Sequence, residues 1–232
     1  MDYNYEAQMH FDDESVRRGF IRKVYSILFT QLLVSVGVVS LFTFSVKVQD
    51  FVSHNIWILI VAIVVNIVLV IMLVCCEGVR RKAPMNFIVL GLFTLTEGFL
   101  LGVIAASYNS SEVMIALGMC AVVVFSLTIF SFQTKMDFTK WGGALFACFI
   151  IFFIFSLLAF IFMKGRLMQL IIAAVGACIF SLFIIYDTQL MLGGKHKYSI
   201  SPEEYIFASL NLYLDIINLF IYILQFIGAS RS

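Results

Sequence analysis

Seven apolar runs of about the length that crosses a bilayer, some 20 residues, constrain this chain more than any other feature. They lie at 24–46, 56–76, 86–107, 113–133, 141–163, 167–191 and 204–227. Segments in hydrocarbon must satisfy every backbone N–H and C=O internally, which for runs this long requires α-helix. Only 12% of the residues are charged and the mean hydropathy is +1.04, against roughly 25% charged in a soluble globular domain. The expected fold is therefore an all-α membrane protein, a seven-transmembrane-helix bundle. Its divisions are a cytosolic N-terminal segment with a basic juxtamembrane helix at 1–23, a seven-span membrane domain at 24–227 and a short tail at 228–232. Connections between the runs are too short for a soluble domain. Cys75, Cys76, Cys120, Cys148 and Cys178 all fall in apolar runs and read as buried small hydrophobes.

Orientation follows from Lys and Arg. Eleven of them, Arg17, Arg18, Arg22, Lys23, Arg80, Arg81, Lys82, Lys135, Lys140, Lys195 and Lys197, fall on the N-terminal side. Only Lys47, Lys164, Arg166 and Arg231 fall on the other. The positive-inside bias then places the N-terminus in the cytosol. The stretch from Val16 to Tyr25 alternates basic and apolar residues at helical spacing. It reads either as a helix lying on an anionic leaflet or as an extension of the first span. A net charge of +1 gives no electrostatic case for nucleic-acid binding. The acidic start, with Asp2, Glu6, Asp12, Asp13 and Glu14, lacks a cleavable signal pattern, so the first span is expected to direct insertion.

The last run is the most polar. Asn211, Asp215, Asn218, Tyr222 and Gln225 recur at offsets that place all five on one stripe of a 3.6-residue helix. Such a stripe has to face protein or water, so this helix is expected at the centre of the bundle. Ser201-Pro202-Glu203-Glu204 has the pattern of a capping box and sets its start. At 1.5 Å per residue, Asp215 then lies roughly 10 to 15 Å into the membrane. Asp187, five residues before Leu192 on the preceding span, lies about 8 Å in from the same side.

A carboxylate at membrane depth costs several kcal/mol and marks an ion or proton path by default. Asp187 and Asp215 are at compatible depths and can meet behind the loop holding Gly193, Gly194, Lys195, His196 and Lys197. Two carboxylates in contact disfavour joint ionisation, so the pair is expected to hold one proton and to act as a pH sensor. With both ionised, Ca²⁺ can replace the proton transiently, its six to eight oxygens coming from Asp187, Asp215, Asn211, Asn218, backbone carbonyls and water. The opposing reading makes the two aspartates structural hydrogen-bonding groups. A third acid, Glu97, either lines the same path, with Asn211, Asn218 and Tyr222, or is an interhelical donor. Arg80 and Arg81 are candidates to reach inward as a latch that protonation of a carboxylate releases; the alternative is that they only fix topology. Small residues at Gly91, Thr94, Gly98, Gly102 and Ala105, and at Ala173 and Ala177, read as packing faces.

These residues resemble the lifeguard branch of the transmembrane Bax inhibitor motif family. The resemblance rests on the stretch Val16 to Tyr25, Val79-Arg80-Arg81-Lys82-Ala83-Pro84, Thr94-Leu95-Thr96-Glu97 and Phe132-Gln133-Thr134-Lys135. Its strongest parts are Ile185-Tyr186-Asp187-Thr188-Gln189 and the run Leu212 to Phe220. It implies a pH-sensitive calcium leak channel of internal membranes, endoplasmic reticulum or Golgi, with suppression of cell death. It carries the paired aspartates onto Asp187 and Asp215 and the latching arginine onto Arg80 or Arg81. No cofactor is expected; calcium enters as a permeant or bound ion, and the partners are the bilayer, protons and death-regulating membrane proteins. Two alternatives stand beside it. One is a non-conducting regulator of death factors. The other is an intramembrane aspartyl protease, which also places Tyr-Asp on a sixth span and Asp on a seventh. That class wants Gly-x-Gly-Asp where this chain has Leu212-Tyr213-Leu214-Asp215, so the expectation is no enzyme.

Overall fold

A computed structural model describes residues 2–163, 165–193 and 197–231, with side chains from residue 15 onward. Lys164, Gly194, Lys195 and His196, named above from the sequence, lie outside the described residues, as do the last residue of the 228–232 tail and the side chains of Asp2 to Glu14. The described elements are α1 (Asp2–Phe44), α2 (Val46–His54), α3 (Ile56–Cys75), α4 (Glu77–Arg80), α5 (Met85–Ala105), α6 (Ser110–Gln133), α7 (Gly142–Phe162), α8 (Arg166–Leu192) and α9 (Tyr205–Arg231). Short 3₁₀ turns at Phe138–Trp141 and Pro202–Glu204 lead into α7 and α9. Seven helical stretches are long and apolar enough to cross a membrane, and no strand occurs among the described residues. The seven-helix bundle expected from the apolar runs is the fold observed.

α9 is the centre. Of its most apolar stretch 61% is buried, against 11 to 39% for the other six spans. It packs on α1, α3, α5, α6 and α8. α7 stands outside α8 and touches the central helix through Phe152, whose ring lies edge-on to Tyr222 at 5.7 Å. Tyr213 of α9 is fully buried, edge-on to Phe93 of α5, with its hydroxyl 2.7 Å from Ser35 of α1. Gln31 Nε2 donates to Thr94 Oγ1 across the α1–α5 contact at 3.1 Å. In lipid no apolar driving force separates helix–helix from helix–lipid contact, so close packing and such interhelical hydrogen bonds hold the bundle.

The small residues do different things at different heights. A side chain at Gly98 would meet Ser35 and Val38, and one at Gly102 would run into the Phe42 ring, so α5 lies on α1 along this stripe. At Gly91 nothing stands within 4 Å. Gly176 of α8 is not in either sequence stripe, yet the Tyr222 ring rests on it, 2.6 Å from where a Cβ would sit.

The basic stretch before the first span is neither a separate element nor a surface helix: α1 continues through it without a break. Arg17 turns into the bundle and donates to Ile200 O in the α8–α9 connection at 2.8 Å and to Met191 O, one of the open carbonyls at the end of α8, at 3.3 Å. It fills the space over Gly193, whose φ of +58° suits glycine. The cysteines also differ from expectation. Only Cys120 is buried; the other four face outward, because the solvent around this fold is itself apolar and an exposed thiol there costs little.

Gly176→Val is expected to lower stability by about 1–3 kcal/mol through overpacking against Tyr222, while Gly91→Val stays within about 0.5 kcal/mol of the parent. Thermal unfolding of the two purified variants in detergent checks the difference.

Candidate functional site

α8 and α9 are joined by a short connection tied back by the bond from Ile200 N to Leu190 O, 3.0 Å. The two helices run antiparallel and pack along their length. Asp187 stands five residues before the end of α8 and Asp215 ten residues into α9, about 8 and 15 Å from the connected end at the helical rise. The pairing brings them together: both side chains are buried, 8% and 7% exposed, and the carboxyl groups lie within hydrogen-bonding reach of one another. Asp215 Oδ2 has no hydrogen-bond partner, and the buried Tyr25 hydroxyl of α1 lies beside Thr128 of α6 and Thr188, the residue after Asp187. Two ionised carboxylates at such contact would repel strongly in a low dielectric; one shared proton turns the repulsion into a hydrogen bond.

The rest of the polar stripe is spent differently. Asn218 Nδ2 donates to Leu214 O of its own helix at 2.8 Å. The Tyr222 ring stacks on Phe180 at 5.7 Å. Asn211 is half-buried, and Gln225 Oε1 has no partner. Glu97 is half-buried on α5 and accepts from Asn66 Nδ2 of α3 at 2.9 Å, while Asn66 also reaches Thr96 Oγ1 at 3.2 Å. It forms an interhelical hydrogen bond and does not join the aspartate pair. Among the described residues no three His, Cys, Asp or Glu side chains gather into a metal site. An ion at the pair would therefore lean on two carboxylates, backbone carbonyls and water.

Arg80 and Arg81 reach neither aspartate. Both close on Glu204, in the 3₁₀ turn before α9. Arg80 Nε lies 2.6 Å from Oε2 and Nη2 3.2 Å from Oε1; Arg81 Nε donates to Oε1 at 2.5 Å, and its Nη2 also contacts that oxygen. The hydrogen bond to Glu204 raises the Arg81 guanidinium above its ordinary range, so it stays charged at any physiological pH. Arg80 donates further to Val74 O at the end of α3, 2.6 Å, and its guanidinium sits over Phe207, 5.1 Å from the ring centre. The reason is reach: α4 ends beside the start of α9, whereas Asp215 is three turns deeper.

Glu204 is the residue the capping pattern misassigned. Ser201 does cap, accepting from Glu203 N at 3.4 Å, and Pro202 does open the turn, but the Glu204 carboxylate leaves the backbone for the two guanidiniums. Its placement among clustered arginines on the same side of the membrane was the available signal. Two further contacts gave no signal in the sequence. Lys23 Nζ lies over the Tyr205 ring, 3.3 Å from its centre, and Tyr205 accepts at its hydroxyl from Asn86 at 2.9 Å. Gln189, two residues beyond Asp187 on α8, accepts from Phe138 N at 2.7 Å and donates to Met136 O at 2.9 Å, tying the turn before α7 to the site helix.

A buried carboxylate pair on the last two of seven membrane helices, with the last helix enclosed, defines a class of membrane protein by its fold and its site together. The family described as "Inhibitor of apoptosis-promoting Bax1" matches residues 17–232, and the chain belongs to that family. It is 43% identical to human Protein lifeguard 3 over 221 residues, covering 94% of this chain and 71% of that protein. The mouse Protein lifeguard 3 is 39% identical over 98% of this chain and 77% of its own length. The Golgi anti-apoptotic protein of vaccinia virus (strain Lister) is 35% identical over 100% of this chain and 94% of its own.

Glu204→Gln is expected to destabilise the fold by roughly 2 kcal/mol, since it leaves the largely buried Arg80 with a neutral partner. Arg81→Gln, which removes a half-exposed arm, should cost clearly less. Apparent melting temperatures of the two variants rank the contributions.

Proposed function

We propose that this protein is a pH-sensitive calcium leak channel of internal membranes, gated by Asp187 and Asp215, and that it acts against cell death. The observation that carries the reading is the burial of two mutually contacting carboxylates in lipid-spanning helices, with an unpartnered Asp215 Oδ2. No purely structural hydrogen-bond network needs the second acid. An amide at either position would make the same contact without the cost of a potential charge at membrane depth.

In this mechanism the proton-sharing pair closes the path by locking α8 to α9. Loss of the proton leaves two negative charges in a low dielectric, which separate or take up a divalent cation. Protons and Ca²⁺ therefore compete, and acidification lowers the affinity of the pair for Ca²⁺. Arg80 and Arg81 act through Glu204: they pin the start of α9, so that movement at Asp215 is resolved against a fixed end. The N-terminus and the clustered basic residues face the cytosol by the positive-inside bias. Residence in the endoplasmic reticulum or Golgi and an anti-apoptotic role draw support from the relatives, of which one is a Golgi anti-apoptotic protein. The chain acts as a membrane regulator and not as an enzyme in this reading.

Purified protein in liposomes loaded with a Ca²⁺ dye should admit Ca²⁺ at a rate that changes between about pH 6 and 8, the range expected for a carboxylate pair sharing a proton. Asp187→Asn and Asp215→Asn should each abolish that pH response. Flux that ignores both substitutions would contradict the gate.

A further inference from the structure

α1 packs mainly on α5 and α9, and α6 mainly on α8 and α9. Between α1 and α6 a cleft of about 550 Å³ therefore remains, with the central helix as its floor. Phe29 and Leu32 line one wall, Val124 and Phe125 the other, and Ile217 and Phe220 the floor. The cleft has a direction. Followed along α1 toward the helix start, the same face presents Leu32, Phe29, Tyr25 and then Arg22, at spacings of three and four residues that keep them in line. Along the other wall α6 runs from Phe125 through Thr128 to its end at Gln133, and the exposed Lys135 follows two residues later.

We propose that this cleft binds an anionic phospholipid, one acyl chain lying against α9 and the phosphate held by Arg22 and Lys135. The order of chemistry along the cleft matches that of a glycerophospholipid. Arg22, three residues before Tyr25 on α1, and Lys135, two residues past the end of α6, are both exposed, and the helical order of the two walls puts them where a phosphate would sit. One turn in, between Thr128 and Thr188, is the buried Tyr25 hydroxyl; it stands at the level of the ester carbonyls. Beyond it the walls are apolar. An acyl chain alone gains little from such a cleft, because lipid tails are as apolar as the side chains. Selectivity comes from the rim, as in basic pockets between membrane helices that hold anionic headgroups. Bound there, the lipid covers Ile216 and Ile217, the residues that follow Asp215, and Tyr25, which lies beside Thr188 next to Asp187. Its chain completes the wall of the central helix at the height of the carboxylate pair.

Native mass spectrometry of the purified full chain, with phosphatidylserine and phosphatidylcholine of identical acyl chains in competition, tests this. The parent should retain one phosphatidylserine with a preference of about thirtyfold, the scale expected from two basic side chains at the surface. The double variant Arg22→Gln/Lys135→Gln should lose the preference. Lys82→Gln/Lys140→Gln, with the same change in net charge at the same end of the bundle, should keep it. Ala121→Trp, which fills the cleft, should lose the retained lipid altogether. Equal retention of both lipids by the parent, a preference that survives in Arg22→Gln/Lys135→Gln, or one lost equally in Lys82→Gln/Lys140→Gln would overturn the proposal. The rim variants leave the buried contacts untouched, so the outcome stands even if Ala121→Trp does not fold.

Discussion

The enclosure of α9 is the constraint on which this structure depends. A helix bearing Asn211, Asp215, Asn218, Tyr222 and Gln225 is stable in a membrane only with protein around its polar stripe. Of its most apolar stretch 61% is buried, and the other helices take their places accordingly. α8 lies along it, α1, α5 and α6 surround it, α3 contributes further contacts, and α7 remains outside with most of its surface exposed. Glycine and ring contacts then set the spacing, as where Tyr222 rests on Gly176 and Phe42 on Gly102.

The same enclosure makes the aspartate pair possible. Asp215 is costly wherever it faces lipid, and α8 is the helix long enough and near enough to offer Asp187 beside it. What the two ends of α9 do is equally important. Arg166 of α8 donates to Ala229 O and Ser230 O at 2.7 and 2.6 Å, holding the far end. Arg80 and Arg81 hold the near end through Glu204. The central helix is fastened by guanidinium groups at both termini, and two unpartnered polar atoms, Asp215 Oδ2 and Gln225 Oε1, lie between them.

Much of this was legible from residues in order. Helices that cross hydrocarbon are specified by length and apolarity, which are local properties, so seven spans could be read directly. The central position of α9 followed from a period of 3.6 in polar residues. Depth arithmetic put Asp187 and Asp215 at compatible depths in the same half of the membrane, because both are counted from the side of the same short connection. The partners of long side chains were not legible in this way. Glu204 fits a local capping rule, and only the fold shows that two guanidiniums from α4 outcompete the backbone N–H. Arg17 fits a topology rule, yet it ties the end of α8 to the connection before α9 through Met191 O and Ile200 O. Cys75, Cys76, Cys148 and Cys178 fit an apolar rule that holds inside and outside a membrane bundle alike, so composition could not tell core from lipid face. Membership of the Bax inhibitor family, over residues 17–232, is consistent with all of these elements and independent of the individual contacts.

The central claim is that Asp187 and Asp215 share one proton across the α8–α9 contact. Infrared difference spectroscopy of the membrane-embedded protein during a pH titration measures this most directly, through the stretch of protonated carboxyl groups. The account predicts a protonated-carboxyl band of one group's amplitude that disappears as the pH rises and that shifts in both Asp187→Asn and Asp215→Asn. A band unaffected by one of the two substitutions, or no protonated carboxyl at any pH at which the protein stays folded, would contradict it.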